Sequence, residues 1–208
     1  MYIPSDFAWT DQEALHDLID DHSFGVLTTT LADGTLEAAH IPFVLDRAPG
    51  PHGTLHAHVA RANPIWQAFD GKREVLAVFQ GPHSYVSPRW YSNPRSVPTW
   101  NFAAVHAYGV PALVDDRAAQ DLLARLSAKH EAGNEKPWHP DQVDAKYLDG
   151  MRKHIVAFAI PIARLLGKHK MSQNRPEEDR VNVRLQLKAE GHADGVAVAA
   201  MMDRMAGA

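Results

Sequence analysis

Between residues 11 and 22, the apolar side chains Leu15, Leu18 and Ile19 recur at helical spacing among acids. That spacing predicts a short surface helix, with Thr10 as its cap and Asp11 and Glu13 matched to the positive end of its dipole. The pattern then becomes extended. Runs 24–31 and 36–45 flank Ala32-Asp33-Gly34-Thr35, and an Asp-Gly pair between two apolar runs favours a tight hairpin turn. A Gly- and Pro-rich loop at 49–53 leads into 54–59, where alternation sets Leu55, Ala57 and Val59 against His56 and His58.

Residues 60–69 read as a strand end feeding a helix, with Asn63 as cap, Pro64 in the first helical position, and Trp66 and Phe69 turned inward. Run 74–80 is a strongly apolar strand, 97–114 is another extended stretch, and Val110-Pro111 marks a bend or sheet edge. From 116 to about 131 the period returns to that of a helix, with Leu122, Leu123 and Leu126 on one stripe. A short helix over 144–151, a buried strand over 155–162 running on to Leu166 and Gly167, and a polar cluster over 168–175 follow. Pro176 and the acids at 177–179 start a helix, and a last helix with Val196, Ala199 and Ala200 inside closes the chain. Strands dominate the first half and follow one another as hairpin-like neighbours. The economical fold is therefore mainly β with peripheral helices, an α+β antiparallel barrel. One domain spans 1–208, with a helical C-terminal extension from about residue 176.

Residues 81–109 stand apart from this regular patterning. Tyr85, Trp90, Tyr91, Trp100, Phe102 and Tyr108 lie among Ser, Thr, Asn, His and Arg, with Pro82, Pro88, Pro94 and Pro98 fixing the backbone between them. Flat apolar surfaces beside fixed polar groups suit a planar ligand whose edge needs hydrogen bonds. The same composition also builds an aromatic plug at the end of a barrel.

The 208 residues are 45% hydrophobic and 22% charged, an ordinary globular mixture, and they contain no cysteine. Disulfides, thiolate metal sites and a cysteine nucleophile are excluded, which fits a reducing compartment. With no leader pattern and no apolar run of membrane length, the chain is expected to be soluble and cytoplasmic. A net charge of -4 argues against a surface built to neutralise many phosphates, so direct DNA binding has no support from charge or from a DNA-binding motif. No Gly-x-Gly-x-x-Gly and no phosphate-binding loop ending in Gly-Lys-Ser/Thr is present, so neither a Rossmann site nor a P-loop is expected. His56 and His58 share a side of their strand, but no third ligand is identifiable at a fixed offset, and no metal is assigned. His40 and His106 read as hydrogen-bonded core histidines on strands rather than catalysts. No catalytic acid or base is singled out. Arg61, just before the amides of a helix start, is a candidate phosphate cradle.

Three segments carry a resemblance: His58-Val-Ala-Arg-Ala-Asn-Pro64, Pro98-Thr-Trp-Asn-Phe102 and Ser172-Gln-Asn-Arg-Pro-Glu-Glu-Asp-Arg180. In this order they are similar to the PaiB family, described as FMN-binding negative transcriptional regulators on a split barrel related to pyridoxamine-phosphate oxidase. The likeness covers nearly the whole chain. It implies an antiparallel split β-barrel of the FMN-binding type and a homodimer with FMN at the subunit interface. Arg61, Ala62 and Asn63 would lie near the flavin phosphate, and residues 80–87 (Gln80, Gly81, Tyr85 and Ser87 among them) with Thr99, Trp100 and Asn101 would face the ring. Lys170, Ser172, Gln173, Asn174 and Arg175 would complete the site, with residues 172–175 coming from the partner chain. Arg61 with Lys170 or Arg175 can balance a phosphate, and Gln80 or Asn101 can serve the ring carbonyls and N3-H. The sequence departs from the family pattern at His56, at His169 between two lysines, and at the polar stretch Val181-Asn-Val-Arg184. The alternatives are an FMN-dependent oxidoreductase linked to NAD(P)H on the same fold, and a protein that holds haem or another planar ligand.

Overall fold

Ten strands and five α-helices follow one another along the chain in a computed structural model that describes residues 1–48 and 50–206. Pro49, part of the predicted 49–53 loop, and the last two positions of the predicted C-terminal extension lie outside the described residues. The elements are β1 (Ala8–Trp9), α1 (Gln12–Asp21), β2 (Phe24–Thr30), β3 (Leu36–Pro42), β4 (Val44–Asp46), β5 (Thr54–Ala60), β6 (Val75–Val86) and β7 (Thr99–Gly109). They continue with β8 (Ala112–Leu113), α2 (Asp116–Glu131), α3 (Ala145–Arg152), β9 (Ile155–Pro161), β10 (Arg164–Lys170), α4 (Glu177–Glu190) and α5 (Ala193–Ala206). A six-stranded sheet has the order β1-β10-β7-β6-β2-β3, and a four-stranded sheet the order β4-β5-β9-β8. The chain divides into two compact units: one of residues 1–11, 80–105 and 166–208, the other of 12–79 and 106–165.

The second unit opens with α1, which begins at Gln12, so Asp11 rather than Thr10 directly precedes the helix. It buries Leu15, Leu18 and Ile19 as the pattern predicts, and also His16, whose Nε2 lies 3.0 Å from the His52 carbonyl oxygen. The β2–β3 hairpin pairs Phe24 with Pro42 through to Thr30 with Leu36. Its turn places Gly34 at φ +88, a left-handed conformation open to glycine, while the Asp33 carboxylate accepts the Thr35 N–H at 2.9 Å.

The predicted single strand over 36–45 is broken. Pro42 brings no N–H to a ladder, Phe43 is fully buried and donates its N–H to the Ser23 carbonyl at 2.8 Å, and β4 then pairs with β5. On β5, Leu55, Ala57 and Val59 are buried as predicted. The predicted helix after it is only a 3-10 turn over Pro64–Ala68. The helix α2 has the predicted bounds, with the Asp115 carboxylate capping it by accepting the Ala118 N–H at 2.8 Å. Leu122 and Leu126 pack with Val44 and Ala157, while Leu123 turns to an apolar cleft.

The strand predicted to run from 155 to about 167 is also two strands, because Ile162 and Ala163 donate their N–H groups to Gly53 and Tyr108 at the break. Gly109 admits Pro161 so closely that a Cβ there would lie 2.2 Å from its carbonyl oxygen. His40 is exposed, contrary to its reading as a core histidine, because its position in β3 turns outward between Ala39 and Ile41.

In the first unit, β1 pairs with β10, Ala8 opposite Lys168 and Trp9 opposite Gly167. The strand β6 runs six residues beyond the predicted end at Gln80. Its buried positions slip from odd to even numbers at Gly81-Pro82, which re-aims the side chains that follow. The helices α4 and α5 pack through Val183, Leu187, Val198, Ala199 and Met202, with Gly191 at φ +70 ending α4. Val196, predicted to face inward, is 43% exposed. The helix rolls so that Gly195, Val198, Ala199, Met201 and Met202 are buried.

Candidate functional site

Period-2 alternation on β10 puts Lys168 and Lys170 on one face and Gly167 and His169 on the other. Lys170 Nζ donates to Thr99 Oγ1 and, at 2.8 Å, to the Trp100 carbonyl. Lys168 Nζ lies 5.2 Å from the Phe102 ring centre. Arg175 lies over the Tyr91 ring at 4.5 Å, and its N–H reaches back to the Ser172 carbonyl at 2.9 Å. The ion pairs described in this unit join Arg180 to Glu177, and Arg184 and Lys188 to Asp203, and none includes Lys168, Lys170 or Arg175. Burial pushes the Lys170 ammonium below its ordinary value, and the neighbouring charges of Lys168 and Arg175 push the same way. Three cations therefore share a neighbourhood with no described carboxylate to neutralise them.

Beside them, β6 and β7 present an aromatic group. Trp100 is 53% exposed and Tyr85 45%, their rings edge to face at 6.1 Å, and His83 is tilted against Trp100 at 6.2 Å. The exposed Gln80 amide lies 3.2 Å from His83 Nδ1, and Gly81 is buried at the slip in β6. These aromatic faces and amide groups are chemically suited to a flavin ring, and the cation cluster to its phosphate.

Other predicted site residues are spent inside the unit. Asn101 is fully buried and shares hydrogen bonds with the Ser172 hydroxyl, 3.0 Å from Nδ2 and 3.2 Å from Oδ1. Ser172 itself holds a left-handed φ of 65, sparsely populated for a residue with a Cβ, and the Asn101 contact fixes it there. Gln173 braces the same turn, accepting the Met171 N–H and donating to the His169 carbonyl, each at 2.6 Å. Ser87 caps a short 3-10 turn through the Arg89 N–H at 3.3 Å. Asn174 is exposed.

Arg61, Ala62 and Asn63 belong to the other unit. The Arg61 guanidinium donates Nε–H to the Lys153 carbonyl at 2.7 Å and Nη2–H to Ile155 at 2.8 Å, which leaves Nη1 for a ligand. The anticipated free amide at Ile65 is occupied by Asn63 Oδ1 at 3.0 Å, so of the cradle only the cation is left. Arg61 lines a cavity of about 610 Å³ with Arg152, Lys153, Asp116 and Asp149. In the same unit His56 lies 3.4 Å from Asp46, and among the described residues no three His, Asp or Glu side chains gather as a metal site.

Lys168 was not singled out from the sequence. A strand reading of 168–170 pairs it with Lys170, but the polar composition of 168–175 does not reveal a strand. No helix among the described residues is long and apolar enough to cross a membrane.

Residues 1–164 match the family model described as "Putative FMN-binding domain". "Protease synthase and sporulation protein PAI 2" of Bacillus subtilis (strain 168) is 36% identical over 204 residues, covering 98% of this chain and 97% of that protein. Among solved structures, the FAD and heme binding protein from Mycobacterium smegmatis aligns with a TM-score of 0.61 at 17% identity, over 88% of this chain and 80% of that one. The flavocytochrome Anf3 from Azotobacter vinelandii gives 0.60 at 18% identity, over 84% and 75%. At such identities the structures speak to fold alone, and that fold is the antiparallel α+β split barrel, its strands here in two sheets. The matched model and the full-length relative together make this chain a member of the PaiB family of FMN-binding proteins, with FMN as its cofactor.

Proposed function

We propose that the chain works as a homodimeric, FMN-loaded negative regulator of gene expression, with FMN seated at the subunit interface. The observation that carries the FMN site is the group of cations at Lys168, Lys170 and Arg175, unneutralised by any described carboxylate, together with the exposed rings of Trp100 and Tyr85. In this reading Trp100 and Tyr85 cover the ring, and Gln80 with the Gly81 backbone serves its polar edge. Lys170, Arg175 and Asn174 hold the phosphate, with the Thr99 hydroxyl beside them. Ser87, Asn101, Ser172 and Gln173 position these groups. The family likeness also implies a phosphate contact at Arg61, with Ala62 and Asn63. Bound FMN supplies reversible electron and hydride acceptance. Support for a regulatory role comes from the Bacillus relative, whose name ties it to protease synthesis and sporulation.

Protein purified without added cofactor, titrated with FMN and with riboflavin and followed by its visible spectrum, tests the site. FMN is expected to bind tighter than riboflavin by about two orders of magnitude, the scale of charge-assisted contacts to phosphate. A colourless protein that takes up neither flavin would end the reading. Sedimentation gives the oligomeric state, and a comparison of promoter with scrambled DNA at fixed salt tests direct regulation.

A further inference from the structure

We propose that residues 1–11 form an aromatic clamp on Lys168-His169-Lys170 that makes the site selective for a ligand carrying a phosphate group. The proposal rests on the FMN reading for the identity of that ligand, though not for the clamp itself.

Each of the three consecutive basic residues carries a ring from this one segment. The Tyr2 ring centre lies 5.6 Å from Lys168 Nζ, Trp9 stacks parallel on His169 with centroids 5.0 Å apart at 1°, and the Phe7 ring lies 5.8 Å from Lys170 Nζ. Lys168 also donates to the Tyr2 carbonyl at 3.1 Å. Because Trp9 is opposite Gly167 in the β1–β10 register, it shares the face of His169, whereas the two lysines occupy the other face. Residues 1–11 thus grip both faces of the end of β10.

The choice of rings rather than acids decides the chemistry. An aromatic face attracts an ammonium without supplying a counter-charge, so the cation is held in place and still lacks an anion. A carboxylate at the same place would fill that need and compete with any phosphate. Lys170 spends two donors and Lys168 one on protein oxygens, which leaves both ammonium groups with N–H donors to offer. Burial and, after it, repulsion from Lys168 and Arg175 disfavour the charged form of Lys170, and an arriving dianion favours it.

Tyr2 is 83% exposed, so replacing it does not threaten folding. Tyr2→Glu puts a carboxylate beside Lys168, and Tyr2→Gln is its neutral counterpart. Relative to Tyr2→Gln, Tyr2→Glu is expected to weaken FMN about tenfold and riboflavin by less than about twofold. Equal losses for both flavins, or no loss, overturn the clamp. A second measurement needs no flavin: hydrogen exchange of the amides in residues 1–11 with and without pyrophosphate. Pyrophosphate is expected to slow exchange there in the unmodified protein and not in Lys168→Met. No slowing in the unmodified protein overturns the clamp even where FMN binds. Slowing in a protein that binds no flavin keeps the clamp as a phosphate site and removes FMN as its ligand.

Discussion

Arg47 and Lys170 show opposite ways of placing a cation in the two units. Arg47 is ringed by three carboxylates, Glu13 at 3.1 Å and Asp17 and Asp20 each at 2.7 Å, and these acids raise its pKa. Lys129 joins the same cluster through Asp20 at 3.1 Å. Lys170 instead has two cations and an aromatic ring for neighbours, and burial first, then those two charges, lower its pKa. The first arrangement is complete in itself and ties α1 to the chain around Arg47. The second is electrostatically incomplete, and a ligand of opposite charge would complete it. A site of this kind gives up some stability in the empty protein in order to bind.

The largest expected effect breaks the incomplete cluster. Lys168→Met combined with Lys170→Met should weaken FMN about a hundredfold while riboflavin changes by less than about threefold, measured by calorimetric titration. Loss of both flavins alike would mean that the lysines serve the fold instead.

A smaller effect comes from pH. Lys170 is held below the ordinary 10.5, so the flavin-free protein loses this proton at lower pH than a free lysine would. Bound phosphate favours the ammonium and raises its pKa, so binding takes up a proton between the two values. FMN affinity should therefore fall, by about tenfold at the high-pH limit, as pH climbs through that window, and riboflavin affinity should stay flat. Parallel pH curves for the two ligands would contradict the assignment.

The smallest effect sharpens the other side of the comparison. Arg47→Met leaves three acids facing one another and should cost about 1 kcal/mol of stability, since Arg47 is 38% exposed and solvent screens the cluster. The loss should shrink in high salt, seen as converging melting temperatures of variant and parent. A salt-independent loss would point to packing of the arginine stem.

Much of the fold was legible because its signals are local. The α2 helix has a cap, an apolar stripe and a breaker in consecutive residues, and it forms over the predicted span. The Asp33-Gly34 turn is specified by the backbone freedom of one residue. Where the reading failed, a distant partner had intervened. Phe43 leaves its expected strand to fill the core, and Ile162 and Ala163 leave theirs to bond with Gly53 and Tyr108. The site shows the same division. Residues 168–175 were marked as polar, but polarity could not separate the strand lysines from the turn that follows them.

From its order of residues alone, this chain determines its alternating strands, its amphipathic helices and, through three short segments, its family. Periodicity and capping act over a few residues and need no fold to be read. Only the tertiary structure decides which polar side chains remain free to meet a ligand. Asn101 and Ser172, 71 positions apart, consume each other's hydrogen-bonding capacity, whereas Lys168 and Lys170 find rings but, among the described residues, no acid in an ion pair with them. Satisfaction of a polar group depends on what is within about 3 Å of it, and that is a property of the folded chain.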